Sequence, residues 1–260
     1  MKYLYKDFLK NSIHCKSLRI NYYLSPLLLK YNFTHAFFTK NSSEIKVDFL
    51  SDSLSLGKIN CKLSQIHSNL VTFGSESNIS QEVNADGLVS DELNQNLWIY
   101  TADCMPILFA DKKKRNVAAL HCGRAGLEKN VIGNILRKFD SLGSSRMDIL
   151  VAIGPSISKE NYLVDKNTSE IFYENINSNL SDTKEELLTG YLQERYKNSS
   201  FNTHLFPIDI KKHAQIQLLA GKISNDNIEI SSKCTFNSSS EFHSWRKNKT
   251  TKRQWNFISS

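Results

Sequence analysis

Between Leu97 and Ile153 the chain alternates short apolar runs with a single stripe of helical period, and this succession constrains the fold more than any other feature. Leu97-Trp-Ile-Tyr100 and Pro106-Ile-Leu-Phe-Ala110 read as strand ends flanking a Thr101-Ala-Asp-Cys104 turn. Asp111 to Arg115 is a charged, hairpin-like connection, and Asn116-Val-Ala-Ala-Leu-His121 is a third buried strand closed by Gly123. Runs this short, apolar throughout and bounded by turn residues, fit strands buried on both faces. A helix should follow, because Leu127, Val131, Ile135 and Phe139 recur every four residues and Ile132 and Leu136 widen the stripe. Gly143 is its expected stop. Asp148-Ile-Leu-Val-Ala-Ile153 is another apolar strand, closed by Gly154-Pro155.

Further along, helices are expected over about Asn167 to Ile176 and from Pro207 to Ala220, the latter with Gly221 as its C-cap signal. Ile228-Glu-Ile230 reads as a short strand leading to Cys234. Strands and helices intermingle without a strict βαβ rhythm, no repeat is visible, and no linker interrupts the chain. The expectation is one α+β domain in layers spanning residues 1–260.

Composition narrows the function classes. Hydrophobic residues make up 40% of the chain, enough for a core, yet no apolar run approaches the ~18 residues of a membrane-spanning helix. The first ten residues mix Lys2, Lys6, Asp7 and Lys10 with aromatics and lack the apolar centre of a signal peptide. Five cysteines, an odd number without a Cys-x-x-Cys pair, argue against a disulfide framework and for a reducing, cytoplasmic setting. The net charge of +7 suits anionic ligands, but no basic helix with interleaved aromatics accompanies it. Neither a nucleic-acid partner nor a membrane is expected.

Chemistry concentrates at strand ends. Cys104 ends the Thr-Ala-Asp-Cys turn, His67 ends Gln65-Ile66-His67, and His121 ends the third apolar strand. One thiolate and two imidazoles make a three-ligand set, and three protein ligands leave the open position that a catalytic zinc requires. The three lie tens of residues apart, so only the fold can assemble them. Taken singly, a histidine at a strand end is usually a satisfied polar group and a buried cysteine a small hydrophobe. The same trio also suits a metal-free cysteine hydrolase with a histidine base. Asp86 and Asp103 are carboxylates in apolar surroundings, where a charge needs partners; an imidazole, a substrate hydroxyl or backbone N–H groups of a turn would each serve. Gly123 and Gly126 flank Arg124 between strand and helix, an arrangement that can face an anion or simply form a tight turn.

In order along the chain, Gln65-Ile-His67, Ala85-Asp-Gly-Leu88, Thr101-Ala-Asp-Cys-Met-Pro106, Ala119-Leu-His-Cys-Gly123 and Ile153-Gly-Pro-Ser-Ile157 resemble the laccase-domain family. That family is also described as polyphenol-oxidase-like or YfiH-like purine nucleoside phosphorylases. Tyr162-Leu-Val164, Asp209, Cys234-Thr235 and Phe242-His-Ser-Trp-Arg246 extend the resemblance, which covers about residues 33 to 258. It implies an α/β/β/α layered fold and a zinc site from His67, Cys104 and His121, with Asp103 beside the chemistry. It also implies phosphorolysis of adenosine, inosine, guanosine and S-methyl-5′-thioadenosine, with adenosine deamination at the same site. Purine nucleosides and inorganic phosphate would be the partners, and the protein a monomer or small homo-oligomer. An older reading of the family makes its members copper-dependent phenol oxidases. Against copper, Met105 neighbours Cys104 on an extended segment and so points to the other face, and no His-x-His pair occurs.

The substrate-side residues implied are Gln65, Arg124, Lys40, Arg246 and Arg253, the cations being those that phosphate requires. Two departures touch this set. Where the family has His-Ala-Gly-Trp-Arg-Gly, this chain has His121-Cys-Gly-Arg124-Ala125-Gly126, so Arg124 stands one position early. Where the family has a Thr-Arg-Gly-Gly-like turn, this chain has Thr39-Lys40-Asn41.

Overall fold

The computed structural model describes residues 5–15, 17–57, 59–77, 80, 82–178 and 204–260, with only the backbone at 176–178. Two seven-stranded mixed sheets dominate. The first runs in the order β1 (Tyr5–Lys6), β15 (Ile228–Ser231), β12 (Ile149–Ile153), β10 (Met105–Asp111), β11 (Val117–Cys122), β8 (Gly87–Val89), β6 (Val71–Phe73). The second runs β2 (Leu9–Cys15), β3 (Leu18–Leu24), β4 (His35–Phe38), β16 (Gln254–Ser259), β9 (Gln95–Thr101), β5 (Ile59–Ser64), β7 (Val83–Asn84). A small antiparallel pair joins β13 (Leu163–Asp165) to β14 (Leu205–Pro207).

The apolar runs are continuous because their strands are covered on both faces. In β10, Met105, Ile107 and Phe109 pack under helices, while Leu108 and Ala110 face the other sheet. In β12 the same division separates Ile149, Val151 and Ile153 from Leu150 and Ala152. Between the sheets these side chains meet Phe37, Leu63, Leu97, Ile99 and Ile258. Beyond the first sheet lie helices Val131–Ser141 and Ile210–Ala220; beyond the second, Trp98, Phe38 and Phe257 pack on helix Val47–Ser53. The layering is therefore α/β/β/α.

The stripe beginning at Leu127 forms two helices, Arg124–Glu128 and Val131–Ser141, rather than one. Asn130 breaks it: its backbone turns left-handed at φ 54° and its side chain accepts a hydrogen bond from Gly133 N. Both pieces still bury the stripe. The second ends as expected at Gly143, whose φ of +72° lets its N–H reach Asp140 O and lets Ser144 N reach Phe139 O. The helix expected from Pro207 starts at Ile210, because Asp209 caps Lys212 N and Leu205–Pro207 pairs with Leu163–Asp165 instead. The helix expected over 167–176 runs Lys166–Ser178. The β2–β3 hairpin and β16 complete the second sheet without having announced themselves; β16 lies centrally, between β4 and β9.

Candidate metal and substrate site

The site forms where the chain crosses from one sheet to the other. The Thr101–Met105 turn carries β9 of the second sheet into β10 of the first. Residues 65–70 carry β5 into β6 and place His67; Ala85 and Asp86 carry β7 into β8; residues 232–253 carry β15 back to β16. Strand pairing aligns these crossings at one end of the sandwich: Gln254 opposes Thr101, Asn84 pairs with Ser64, and Cys122 opposes Met105. His121 reaches the same end from β11.

His67, Cys104 and His121 each offer a ligand atom, and all three atoms lie within 4.8 Å of one another. Cys104 Sγ is 4.0 Å from His67 Nε2, and the two imidazoles meet edge to face at 4.8 Å between ring centres. His121 is buried, Cys104 partly so, and His67 exposed, so the set opens outward. Asp86 lies fully buried behind it. Its Oδ1 is 2.8 Å from His121 Nδ1 and also accepts from His67 N, while its Oδ2 accepts from the N–H and hydroxyl of Ser68. One carboxylate thus takes His121 Nδ1, leaving Nε2 toward Cys104, and fixes the turn of His67, whose φ is 56°. Gly123 completes the cradle: a Cβ there would stand 2.8 Å from Cys104 Sγ.

Electrostatics favour the thiolate form of Cys104. Burial alone would raise the Cys104 thiol, but the charge of His121 and hydrogen bonds from both imidazoles outweigh it and lower the thiol to about 6. Burial works against charge on His121 as well, yet the thiolate and Asp86 hold it up at about 9. A thiolate and two imidazoles converging with an open side fit a single zinc-type ion. Met105 is buried on the helix side of β10, away from this set, and among the described residues no second His/Cys/Asp/Glu cluster of metal-binding size occurs.

The set floors a cavity of about 530 Å³, within the ~300–1,000 Å³ usual for small-molecule sites. Arg124, Arg246 and Arg253 line it. Arg124 is neutralised by Glu128 at 2.5 Å, whereas Arg246 and Arg253 have no carboxylate partner among the described residues. Arg246 donates to Leu163 O at 2.7 Å, with its guanidinium over the Tyr162 ring; Arg253 donates to Thr250 O and Lys252 O. Gln65 also lines the cavity, but its amide is spent on Tyr100, donating to its carbonyl and accepting from its N–H, both at 2.8 Å. Lys40 is not brought in: it donates to Ser239 O and lines no part of the cavity. Asp103 lines the wall and accepts from Thr235 Oγ1, Ser244 Oγ and Arg246 N. Tyr162, Trp245 and Tyr100 also line it; the first two stand in the family-like segments of the sequence, but none of the three carried a site role there. Ser244 carries a readable signal, a serine capping Trp245–Asn248 through Lys247 N.

A two-sheet α/β/β/α protein with a His-Cys-His set open to a cationic cavity defines a narrow class. The chain belongs to the family described as "multi-copper polyphenol oxidoreductase laccase", whose model matches residues 44–260. It is similar to the purine nucleoside phosphorylase slr1573 of Synechocystis, 30% identical over 68% of each chain. It is also similar to a purine nucleoside phosphorylase of Bacteroides thetaiotaomicron, 30% identical over 62% of this chain and 55% of that one. In fold it resembles YlmD of Geobacillus stearothermophilus, with a TM-score of 0.76 at 21% identity over 95% of this chain and 98% of that one. YfiH of Bacillus licheniformis matches over the same shares, with a TM-score of 0.74 at 20% identity.

Proposed function

We propose that this chain is a zinc-dependent purine nucleoside phosphorylase acting on adenosine, inosine, guanosine and S-methyl-5′-thioadenosine, and that the same site deaminates adenosine. The observation that carries this reading is the placing of two arginines without acidic partners, Arg246 and Arg253, in the cavity floored by His67, Cys104 and His121. Phosphorolysis joins a phosphate oxygen to the ribose C1′ and breaks the bond to the purine nitrogen, which leaves with a proton. Arg246 and Arg253 are the residues to hold that phosphate, since guanidinium forks match its oxygens. Arg124 already has Glu128 and serves the cavity wall. His67, Cys104 and His121 would hold the zinc, which when bound supplies a Lewis acid to a substrate oxygen or water. The names of the relatives support the nucleoside reading, and the donor set supports zinc over copper because Met105 faces away from it and no second cluster accompanies it among the described residues.

The apolar cluster shared by both sheets supports one catalytic domain over residues 1–260. All five cysteines are free, which supports a reducing, cytoplasmic home, and among the described residues no helix is long and apolar enough to cross a membrane. The test is a nucleoside panel with and without phosphate, with free base, inosine and ribose 1-phosphate measured alongside bound zinc. Turnover that requires phosphate and is lost in Cys104→Ala is expected. No turnover by zinc-replete protein would refute the reading. The thiolate–imidazolium pair favours one rival, a metal-free cysteine hydrolase; protection of Cys104 from iodoacetamide by stoichiometric zinc would exclude it.

A further inference from the structure

We propose that Asp103 is a positioning residue, which holds Arg246 in place across the cavity from the Cys104 ligand and does not itself act on substrate. This rests on the reading that Arg246 meets phosphate.

Three donors, all from the connection between β15 and β16, converge on this one side chain. Its Oδ1 accepts from Thr235 Oγ1 at 2.6 Å; its Oδ2 accepts from Ser244 Oγ at 3.1 Å and from Arg246 N at 2.6 Å. A carboxylate offers about four acceptor sites, and protein donors take three of them. Asp103 is 8% exposed, and its own carbonyl is taken by Ile157 N at 3.0 Å. A group so occupied is poorly placed to exchange protons with a ligand and well placed to hold backbone.

What it holds is the base of Arg246. The head of that residue is fixed separately, by Leu163 O at 2.7 Å and by the Tyr162 ring 4.9 Å below the guanidinium. Arginine has costly rotamer freedom, so a cation pinned at both ends meets its anion at little further entropy. The residue that pins the base directly precedes the thiolate ligand, on the same sheet-to-sheet turn. The Cys104 turn and the backbone of Arg246 are therefore linked through one side chain. The φ of 86° at Asp103 fits this, because the turn must bring both Asp103 and Cys104 to the cavity end of the sandwich.

Asp103→Asn tests it, since asparagine tolerates the positive φ and removes one acceptor. Inorganic phosphate binding to zinc-loaded protein is measured by titration calorimetry in wild type, Asp103→Asn, Arg246→Ala and the double variant, with zinc content determined for each. Asp103→Asn should weaken phosphate about tenfold, as a misplaced group does, with zinc still one per chain. In the Arg246→Ala background it should add almost nothing. In turnover, the KM for phosphate should rise while that for nucleoside stays within about twofold. Thr235→Val and Ser244→Ala, which remove single donors, should move phosphate binding in the same direction by less. Equal weakening with and without Arg246, or zinc loss that accounts for the effect, would overturn the proposal. Phosphate-dependent turnover with uncoupled binding would overturn the positioning role alone. Coupled phosphate binding without turnover would support that role while refuting the proposed activity, and wild-type protein that ignores phosphate would refute both.

Discussion

Gly123→Ala isolates the geometry of the ligand set. The backbone at Gly123 is extended, φ −95° and ψ −177°, so alanine meets no conformational penalty there. The cost is steric. The new Cβ would stand 2.8 Å from Cys104 Sγ, 3.6 Å from His67 Cδ2 and 3.8 Å from Cys104 Cβ. Ordinary contact begins near 3.4 Å, so the sulfur must retreat by about 0.6 Å. Metal–ligand distances tolerate only about 0.2 Å, so the thiolate cannot retreat and still coordinate well. We expect zinc affinity to fall about 10–100-fold, about 1.4–2.8 kcal/mol, the range for disturbing the surroundings of a metal site. The assay is zinc competition against a chromophoric chelator near neutral pH, with melting of the zinc-free protein as control. Zinc-free Gly123→Ala should melt close to wild type. Unchanged zinc affinity would refute the geometry argued for Cys104. Gly126→Ala is the local comparison. Its Cβ would press on Val131 Cγ1 at 3.1 Å, which can shift, so zinc binding should hold.

Three further outcomes are expected. Asp86→Asn removes the acceptor shared by the His121 ring and the His67 turn, and should weaken zinc about 10–100-fold in the same competition. Burial lowers His35 from 6.5 to about 4, against a smaller opposing pull from Phe33 O, so the folded state keeps it neutral. Its contribution, about 3 kcal/mol at full strength, is present above pH 6.5 and lost as pH falls toward 4. Denaturant midpoints of wild type and His35→Gln should therefore converge between those pH values, and parallel curves would contradict the assignment. Asn130→Ala loses a helix cap and forces alanine to φ 54°, so it should cost about 2 kcal/mol, whereas Asn130→Gly should cost under half of that in the same melting experiment.

The strands from 95 to 122 and 149 to 153 were legible because both faces are buried, which writes their positions as unbroken apolar runs. The β2–β3 hairpin was not, because its edge strand mixes Lys10, Asn11 and Ser12 with Leu9 and Ile13, a pattern that polar loops share. β16 was masked by the basic stretch before it. Gln254 and Asn256 are buried yet polar, Asn256 donating to Thr101 Oγ1, so composition gave no sign of a central strand. At the site, residue type and strand-end position marked His67, Cys104 and His121 as candidates, and the family-like segments around them singled them out as a metal set. The substrate side was not, because a lysine or arginine reveals its charge in sequence but not its partner. Arg124 and Arg246 look alike until Glu128 is found on the first and Leu163 O on the second. Gln65 likewise looks like a ligand until both ends of its amide are traced to Tyr100.

The long spacing between site residues follows from the sandwich itself. A chain that builds two face-to-face sheets must leave one and enter the other, and each crossing exposes a connection at the sandwich end. Four crossings here share one end, so each can contribute a polar side chain to a common volume while the strands on either side stay apolar. The ligand turn at Cys104, the His67 turn and the Asp86 turn are three such crossings, and the segment bearing Thr235, Arg246 and Arg253 is the fourth. Rigidity comes from the strands and chemistry from the crossings. A change within β9 or β10 should therefore disturb stability, whereas one in these four turns should disturb metal or anion binding first. Asp103, on one crossing and bonded to another, is where the two kinds of turn are joined.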